Sequence, residues 1–192
     1  MKKENLAETT LETVDYRKMC VENQVEVLEF DGVEFEYHYF MDQNGNQSTR
    51  VINRSTGKED VLTYKENSVI LNGDEICTIC KELTPDKVDT KAMNEWINSG
   101  VYHKKITWKS SAEGTLLLSL ISTAMSLKQS LVKASAGIDV FNAIANYCNG
   151  GTLHYSAWYY VSLVSTIHRY DWSFAAASGK RWGTYHVQFN EY

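Results

Sequence analysis

The longest helical pattern in the chain is the stretch from Gly114 to Asn149, which reads GTLLLSLISTAMSLKQSLVKASAGIDVFNAIANYCN. Its apolar residues recur at short helical steps and alternate with Ser, Thr, Gln and Lys, the pattern of an amphipathic helix with one wide apolar face. Gly137 interrupts the pattern. Asp139 is a suitable N-cap for a second helix, which the Gly150-Gly151 pair ends. The sequence therefore predicts a central helical pair against which the rest of the chain packs.

The first helix of this pair is predicted to bury one face and to expose a polar stripe. The inward residues are Leu117, Leu120, Ile121, Ala124, Leu127, Leu131 and Ala134, and the outward residues are Ser119, Ser122, Thr123, Ser126, Gln129, Ser130 and Lys133. The alternative is a membrane hairpin. However, Glu113 and Lys128 bracket only 14 uncharged residues, fewer than the roughly 20 apolar residues that a transmembrane helix needs. A buried core helix is the favoured interpretation.

The acidic segment before this stretch has the period of two that is typical of β-strands. Its apolar runs are separated by Asp31-Gly32, Asn44-Gly45 and Asn72-Gly73, pairs that favour hairpin turns because they accept positive φ angles. The predicted strands are Val25–Phe30, Val33–Phe40, Thr49–Asn53, Asp60–Tyr64, Val69–Leu71, Glu75–Leu83 and, with weaker alternation, Val101–Trp108. A short helix is predicted from Pro85 to about Ser99. The segment is therefore interpreted as an antiparallel meander with one solvated face.

Aromatic residues are concentrated at the end of the chain, where the last 41 residues hold 11 of the 23. The predicted strands there are Leu153–Leu163, Ile167–Phe174 and Trp182–Phe189, and the first of them is expected to turn Tyr155, Ala157, Tyr159, Val161 and Leu163 to one side. A second antiparallel sheet packed on the helical layer is expected from this pattern.

These segments together predict an α+β protein with an N-terminal antiparallel β-meander, a central helical pair and a C-terminal aromatic-rich antiparallel β-sheet. The predicted organisation is an N-terminal arm (residues 1–20), an acidic β-meander with a short helix (21–110), and the helical pair with the aromatic sheet (111–192). A chain of this length can bury a sizeable core as one large domain or two small ones.

The charge distribution argues against nucleic-acid binding. Residues 1–110 carry 14 Lys and Arg against 20 Asp and Glu, whereas residues 111–192 carry 5 against 4, so no basic surface for phosphates is expected. The chain begins Met1-Lys2-Lys3, but Glu4, Glu8 and Glu12 lie where a signal peptide would be apolar. The expectation is a cytoplasmic protein or an exported protein that has been processed.

Three short motifs resemble parts of catalytic or metal sites. Cys77 and Cys80 have CxxC spacing, but they lie in a predicted strand, where positions three apart point to opposite faces, and a zinc site would need two more ligands. Cys148 lies near a helix C-terminus, where the helix dipole opposes a thiolate, and it is a weak nucleophile candidate with a histidine partner. Ser130 and Lys133 match an SxxK pattern whose companion motifs are absent. Structural roles are the favoured interpretation of all three.

A fourth candidate is the acidic face of the first predicted sheet, where Glu26, Glu34 and Glu36, with Asp31 at the turn, would supply carboxylates for glycoside hydrolysis or for calcium. A solvated β face explains these residues more simply. No Walker loop or dinucleotide fingerprint occurs. No cofactor and no metal are therefore expected.

The strongest functional candidate is the C-terminal aromatic cluster, as a platform for a glycan, a lipid headgroup or membrane surface, or a protein partner. The predicted binding residues are Trp158, Tyr160, His168, Arg169, Trp172, Arg181 and Trp182, with His154 nearby in the sequence. The competing interpretation makes these rings core and cross-strand pairs.

The favoured function is a non-enzymatic binding or interaction protein, because no catalytic constellation is complete. The alternative is a membrane-active, bacteriocin-like toxin or its precursor, in which the acidic N-terminal half restrains a C-terminal active half.

Overall fold

A computed structural model of the chain describes residues 23–82, 95–109 and 113–191, and its largest element is one antiparallel sheet of ten strands. The strands stand in the sheet in their order along the chain, so each pairs with the next. Their bounds are β1 Val25–Phe30, β2 Val33–Met41, β3 Gln47–Asn53, β4 Glu59–Lys65, β5 Ser68–Leu71, β6 Asp74–Glu82, β7 Ile97–Trp108, β8 Gly150–Val161, β9 Thr166–Ala176 and β10 Arg181–Glu191. The described helices are α1 Gly114–Met125, α2 Gln129–Ala136 and α3 Ile138–Tyr147.

The predicted α+β class with a separate C-terminal sheet was wrong, because the described part of the chain is a largely β fold. The predicted meander and the predicted aromatic sheet are parts of one sheet, since β7 pairs with β6 along one edge and with β8 along the other. β7 is 12 residues long, but its apolar alternation is weak, so its sequence carries no sign that it joins two segments. The three-segment division of the chain remains a prediction.

The predicted strands and turns of the meander are confirmed. The turn residues Asp31 and Gly32 have φ angles of 51° and 79°, and Asn72 and Gly73 have 51° and 97°, as hairpin turns of this kind require. Most strand ends differ from the predicted ones by one or two residues. The predicted arm at residues 1–20 and residues 85–94 of the predicted short helix lie outside the described part of the chain, and residues 97–99 of that helix belong to β7.

The helices pack on the inner face of the sheet and form one core with it. α1 is enclosed, since Leu117, Leu118 and Ile121 have 0% exposure. α2 contacts strands near both edges of the sheet. The backbone N–H of Gln129 donates to Tyr39 Oη in β2 at 3.0 Å, and Trp172 Nε1 in β9 donates to Ser135 Oγ at 3.0 Å. The sheet therefore curves around the helices.

The predicted continuous helix before Gly137 was wrong, because α1 and α2 meet at a bend of 113°. Ser126 ends α1 in the left-handed conformation, with a φ angle of 57°, and its N–H donates to the carbonyl groups of Ser122 and Thr123. The break changes the phase of the inward face, so Val132 is buried and Ala134 is exposed. The next helix begins after Gly137, which occupies the N-cap position that was predicted for Asp139.

The predicted polar stripe was also wrong, since Ser119, Ser122 and Gln129 are buried. Ser119 Oγ donates to Gln129 Oε1 at 3.0 Å and lies 3.2 Å from the Thr115 carbonyl oxygen. Ser119 and Gln129 are tolerated inside because they bond to each other and to the backbone, whereas the buried Ser122 hydroxyl has no hydrogen-bond partner among the residues that the structure describes. Within the described residues no single helix is long and apolar enough to span a membrane, and α1 and α2 meet that criterion only as a bent pair.

Candidate functional site

Strand alternation divides the seven predicted binding residues between the two faces of the sheet. On β8, Tyr155 and Ala157 are buried against the helices, so Trp158 and its neighbours of the same parity point outward. The residues on the outer face are Trp158, Tyr160, Arg169 and Arg181, and those on the inner face are His168, Trp172 and Trp182. The structure therefore does not place all seven on one surface.

The inner three are packing residues. Trp172 has 0% exposure, and its ring centroid lies 4.7 Å from that of Tyr185. The imidazole of His168 is stacked on Phe189 at 5.2 Å and has 1% exposure. Trp182 lies at the start of β10 and is partly exposed, and its ring centroid is 5.4 Å from that of Tyr147 in an edge-on contact. These rings occupy the core and its margin, as the competing interpretation proposed.

A polar network, here called the outer cluster, lies on the opposite face of β8, β9 and β10 and consists of Ser156, Trp158, Arg169, Asp171 and His186. The guanidinium of Arg169 donates to both carboxylate oxygens of Asp171 at 2.9 Å, and His186 Nδ1 lies 2.5 Å from Asp171 Oδ1. Trp158 Nε1 donates to Ser156 Oγ at 3.0 Å. Strand pairing places Ser156 beside Asp171 and Trp158 beside Arg169.

The carboxylate at the centre of this network has an altered acidity. Burial acts to raise the pKa of Asp171, but hydrogen bonds and charge from Arg169 and His186 outweigh it, so the net pKa lies below its ordinary value. The side chain of Asp171 is 16% exposed and that of Arg169 is 40% exposed. The network therefore orients the Arg169 side chain while leaving part of that side chain open to solvent.

The pH dependence of stability tests this network. Because the folded pKa lies below the unfolded value of about 3.9, ionised Asp171 stabilises the folded state above about pH 4, and this contribution is lost as the pH falls through the folded pKa. We expect Asp171→Asn to lower the free energy of unfolding by about 1 kcal/mol at neutral pH and the difference from wild type to shrink in acid. Urea titrations between about pH 2 and 7 would measure it.

The control for this experiment is Asp74→Asn, which changes an exposed carboxylate at the start of β6 and is expected to alter stability by less than about 0.5 kcal/mol. A difference between wild type and Asp171→Asn that stays constant across the acid range would contradict the role assigned to Asp171.

The outer face ends in an apolar region, here called the aromatic end, made of Trp96, Trp158 and Tyr160. The rings of Trp96 and Tyr160 lie 5.8 Å apart, and Trp96 is 36% exposed. Arg181 pairs with Ala175 near the other end of β9 and is not part of this region. The sequence analysis missed Trp96, because it precedes β7 and reaches Tyr160 only through the β7–β8 pairing.

The outer cluster does not have the arrangement of a catalytic triad. In such a triad the histidine lies between the nucleophile and the aspartate. Across this sheet the order is Ser156, Asp171, His186, so Asp171 separates the serine from the imidazole. His103 and His154 form a second pair on the outer face, with their Nδ1 atoms 2.6 Å apart. The side chains of the outer cluster are suited to recognition by hydrogen bonds and ring contacts.

The cysteine motif has the geometry that its strand position predicts. Cys77 is buried and Cys80 is partly exposed, and both are free thiols. Burial raises the pKa of Cys77 to about 12, which disfavours the thiolate that redox chemistry and metal binding need. Among the residues that the structure describes, no group of three His, Cys, Asp or Glu could hold a metal ion.

The remaining motifs contribute to packing and surface contacts. Lys133 Nζ donates to the Glu29 carbonyl oxygen and lies 4.7 Å from the centroid of the Phe30 ring, so it joins α2 to β1. Cys148 follows α3, and its thiol lies 3.5 Å from the Ile144 carbonyl oxygen.

The three glutamates of the predicted acidic face lie on two different faces of the sheet. Glu34 and Glu36 face solvent and share Arg54, with the shortest contact at 2.8 Å between Arg54 Nη2 and Glu36 Oε2. Glu26 points inward instead, to the N-terminus of α2, where it accepts a hydrogen bond from the Ser130 N–H at 3.2 Å. The three carboxylates are therefore not gathered at one site.

Comparison of the chain with family models, with curated proteins and with solved structures found no match in any of the three. The functional argument therefore depends on the two surfaces just described, the outer cluster and the aromatic end.

Proposed function

We propose that this chain is a non-enzymatic binding protein that contacts its partner through the outer face of β7 to β10. The observation that carries the proposal is the side-by-side placement of Trp158 and Tyr160 on that face, with Trp96 against Tyr160 at 5.8 Å. Tryptophan, tyrosine and arginine are the residues that most often dominate binding energy. On this face Trp158 also has Arg169 as its cross-strand neighbour.

The contact residues on this face are held in place before any partner arrives. The indole of Trp158 is oriented by Ser156, and the guanidinium of Arg169 is oriented by two bonds to Asp171. Side chains that are already ordered lose less conformational entropy on binding, which favours affinity. They stand on a sheet whose other face is filled by the helices, so the backbone beneath them is supported.

The toxin alternative has less support than the binding proposal. It requires the helical pair to leave the interior, where Leu117 and Ile121 have 0% exposure. The binding proposal needs no such rearrangement, because its contact residues are already on the surface.

Substitution of Trp158 tests the proposal. We expect the wild-type chain to bind at least one of two probe sets, an array of immobilised glycans or phospholipid vesicles. Trp158→Ala is expected to weaken that binding at least tenfold, as loss of a central aromatic contact does. Surface plasmon resonance would give the dissociation constants, and circular dichroism would show that the variant is folded.

The matched control is Phe40→Ala. Phe40 belongs to β2 on the outer face of the other half of the sheet and packs under Arg50, whose Cζ lies 5.8 Å from the ring centroid. We expect this variant to bind like wild type. Binding to neither probe set would refute a glycan or a lipid as the partner, and equal losses in the two variants would refute the role of this face in binding.

A further inference from the structure

The connection between β8 and β9 forms an exposed apolar tip, here called the hairpin tip, at residues 161–165. Leu163 is 103% exposed, Val164 is 93% exposed and Val161 is 49% exposed. Exposed aliphatic side chains grouped in this way mark interaction sites more often than isolated ones do. The chain carries no Asp, Glu, Lys or Arg from Val140 to His168, so the tip is reached by an uncharged stretch on both sides.

Three backbone N–H groups of the tip, those of Ser162, Val164 and Ser165, and one carbonyl, that of Ser165, are hydrogen-bonded within it. Ser162 Oγ accepts hydrogen bonds from the N–H groups of Val164 at 3.4 Å and Ser165 at 3.1 Å. The Ser162 N–H donates to the Ser165 carbonyl oxygen at 3.0 Å, and the Ser162 hydroxyl lies 2.8 Å from the same oxygen. Internal bonding of this kind lowers the cost of moving a backbone segment out of water.

Two amphipathic rings stand behind the tip. Tyr160 directly precedes Val161 at the end of β8, and the partly exposed Trp96 packs against Tyr160. Tryptophan and tyrosine are enriched at membrane–water boundaries, where the ring lies among headgroups and its polar atom stays hydrated. The order along the surface is thus an aliphatic tip followed by aromatic rings.

We propose that the hairpin tip inserts into the interface of a lipid bilayer, with Leu163 and Val164 among the upper acyl chains and with Trp96 and Tyr160 at the headgroups. This inference rests on the proposed function and names the bilayer as the partner of the aromatic end. A bilayer fits this surface because the tip is convex and uncharged. A protein partner would need a matching pocket and would gain no charged contact from the tip.

Vesicle flotation tests the proposal. With phosphatidylcholine vesicles, we expect the wild-type chain to float with the lipid. Leu163→Asp and Val164→Asp should each reduce the partition coefficient by about tenfold or more, because each places a charge where an aliphatic side chain would enter the bilayer. Since the tip is uncharged, partitioning should change less than about twofold between 0.1 and 0.5 M salt. Val25→Asp is the matched control, because Val25 is a 50% exposed valine in β1; we expect it to partition like wild type.

Fluorescence quenching provides a second measurement. Brominated phosphatidylcholine should quench the tryptophan emission of the bound wild-type chain, and Trp96→Phe should remove a large part of that quenching. Failure of the wild-type chain to float, or equal partitioning of Leu163→Asp and wild type, would overturn the bilayer proposal.

The two proposals fail in different ways. Glycan binding that depends on Trp158, without flotation, would refute the bilayer as partner and leave the proposed function standing. Flotation that depends on Leu163 and not on Trp158 would support insertion of the tip and refute the role of the outer cluster in binding. Flotation that is lost at high salt would indicate adsorption by charge and would contradict insertion.

Discussion

Replacement of Trp172 by alanine is expected to lower the free energy of unfolding by about 3–5 kcal/mol, the usual cost of removing a fully buried large aromatic side chain. Trp172 has 0% exposure. Its ring contacts Phe141 in α3 and Tyr185 in β10, and its Nε1 donates to Ser135 in α2. The substitution would therefore remove contacts between the sheet and two helices at once.

Thermal and urea unfolding would measure this effect, which corresponds to a fall of about 6 to 20 °C in the melting temperature for a chain of this size. Trp158→Ala is the matched control on the outer face of the adjacent strand, and we expect it to cost about 1 kcal/mol or less. Equal losses in the two variants would show that Trp158 is also a packing residue and would weaken its assignment as a contact residue.

Tyr39→Phe is expected to lower the free energy of unfolding by about 1–3 kcal/mol, the cost of leaving a buried polar partner unsatisfied. The Tyr39 hydroxyl donates to Glu26 Oε1 at 2.5 Å and accepts the Gln129 N–H at 3.0 Å. It lies at the N-terminus of α2, where unpaired N–H groups and the helix dipole favour the Glu26 carboxylate. Without the hydroxyl, the buried Gln129 N–H loses its partner.

Urea unfolding at neutral pH is the measurement for this variant as well. The control is Tyr147→Phe, because the Tyr147 hydroxyl pairs with Ser178 at an exposed position, where water replaces a lost partner. We expect that control to change stability by less than about 0.5 kcal/mol. A loss in Tyr39→Phe no larger than in the control would show that the Tyr39 hydroxyl does not stabilise the N-terminus of α2.

The strands of this fold could be predicted from the sequence because their signals are local. Asp31-Gly32 and Asn72-Gly73 set the turns, and strand alternation alone puts Tyr37 and Tyr39 of β2 on the same face. In the structure this is the inner face, where both have 1% exposure. The assembly of the strands could not be predicted in the same way. Whether β7 ends one sheet or continues into another depends on its pairing with β8, which begins 42 residues after the end of β7. Neither strand alone carries a sequence pattern that indicates this pairing.

The helical region shows a different limit. A polar stripe on an amphipathic helix normally predicts a solvated face, but here Ser119 and Gln129 bond to each other inside the core. Serine and glutamine are typical of an exposed helix face, and here they are buried because the sheet curves around the helices. The break at Ser126 then shifted the helical phase, so the predicted inward position of Ala134 is exposed and Val132 is buried.

The candidate site was predicted in part. Composition indicated the C-terminal aromatic residues, and strand alternation separates Trp158 and Tyr160 from Trp172 once the true ends of β8 and β9 are known. Leu163 was predicted to share one side of a strand with Tyr155 and Ala157, but β8 ends at Val161, and Leu163 lies at the turn. An error of two residues in one strand end thus hid the most exposed aliphatic side chain of the described chain.

The neighbour-to-neighbour order of the ten strands has a consequence for biosynthesis. Strands β2 to β6, β9 and β10 each follow their hydrogen-bonding partner after a short turn, so these parts of the sheet can grow during translation with little loop-closure entropy at each addition. Strand β8 pairs with β7 only after the helical segment has been made. The bond between Tyr39 and Gln129 is of another kind, because it joins residues 90 positions apart. Closure of the sheet around the helices is therefore the step that waits for the ribosome to deliver the second half of the protein.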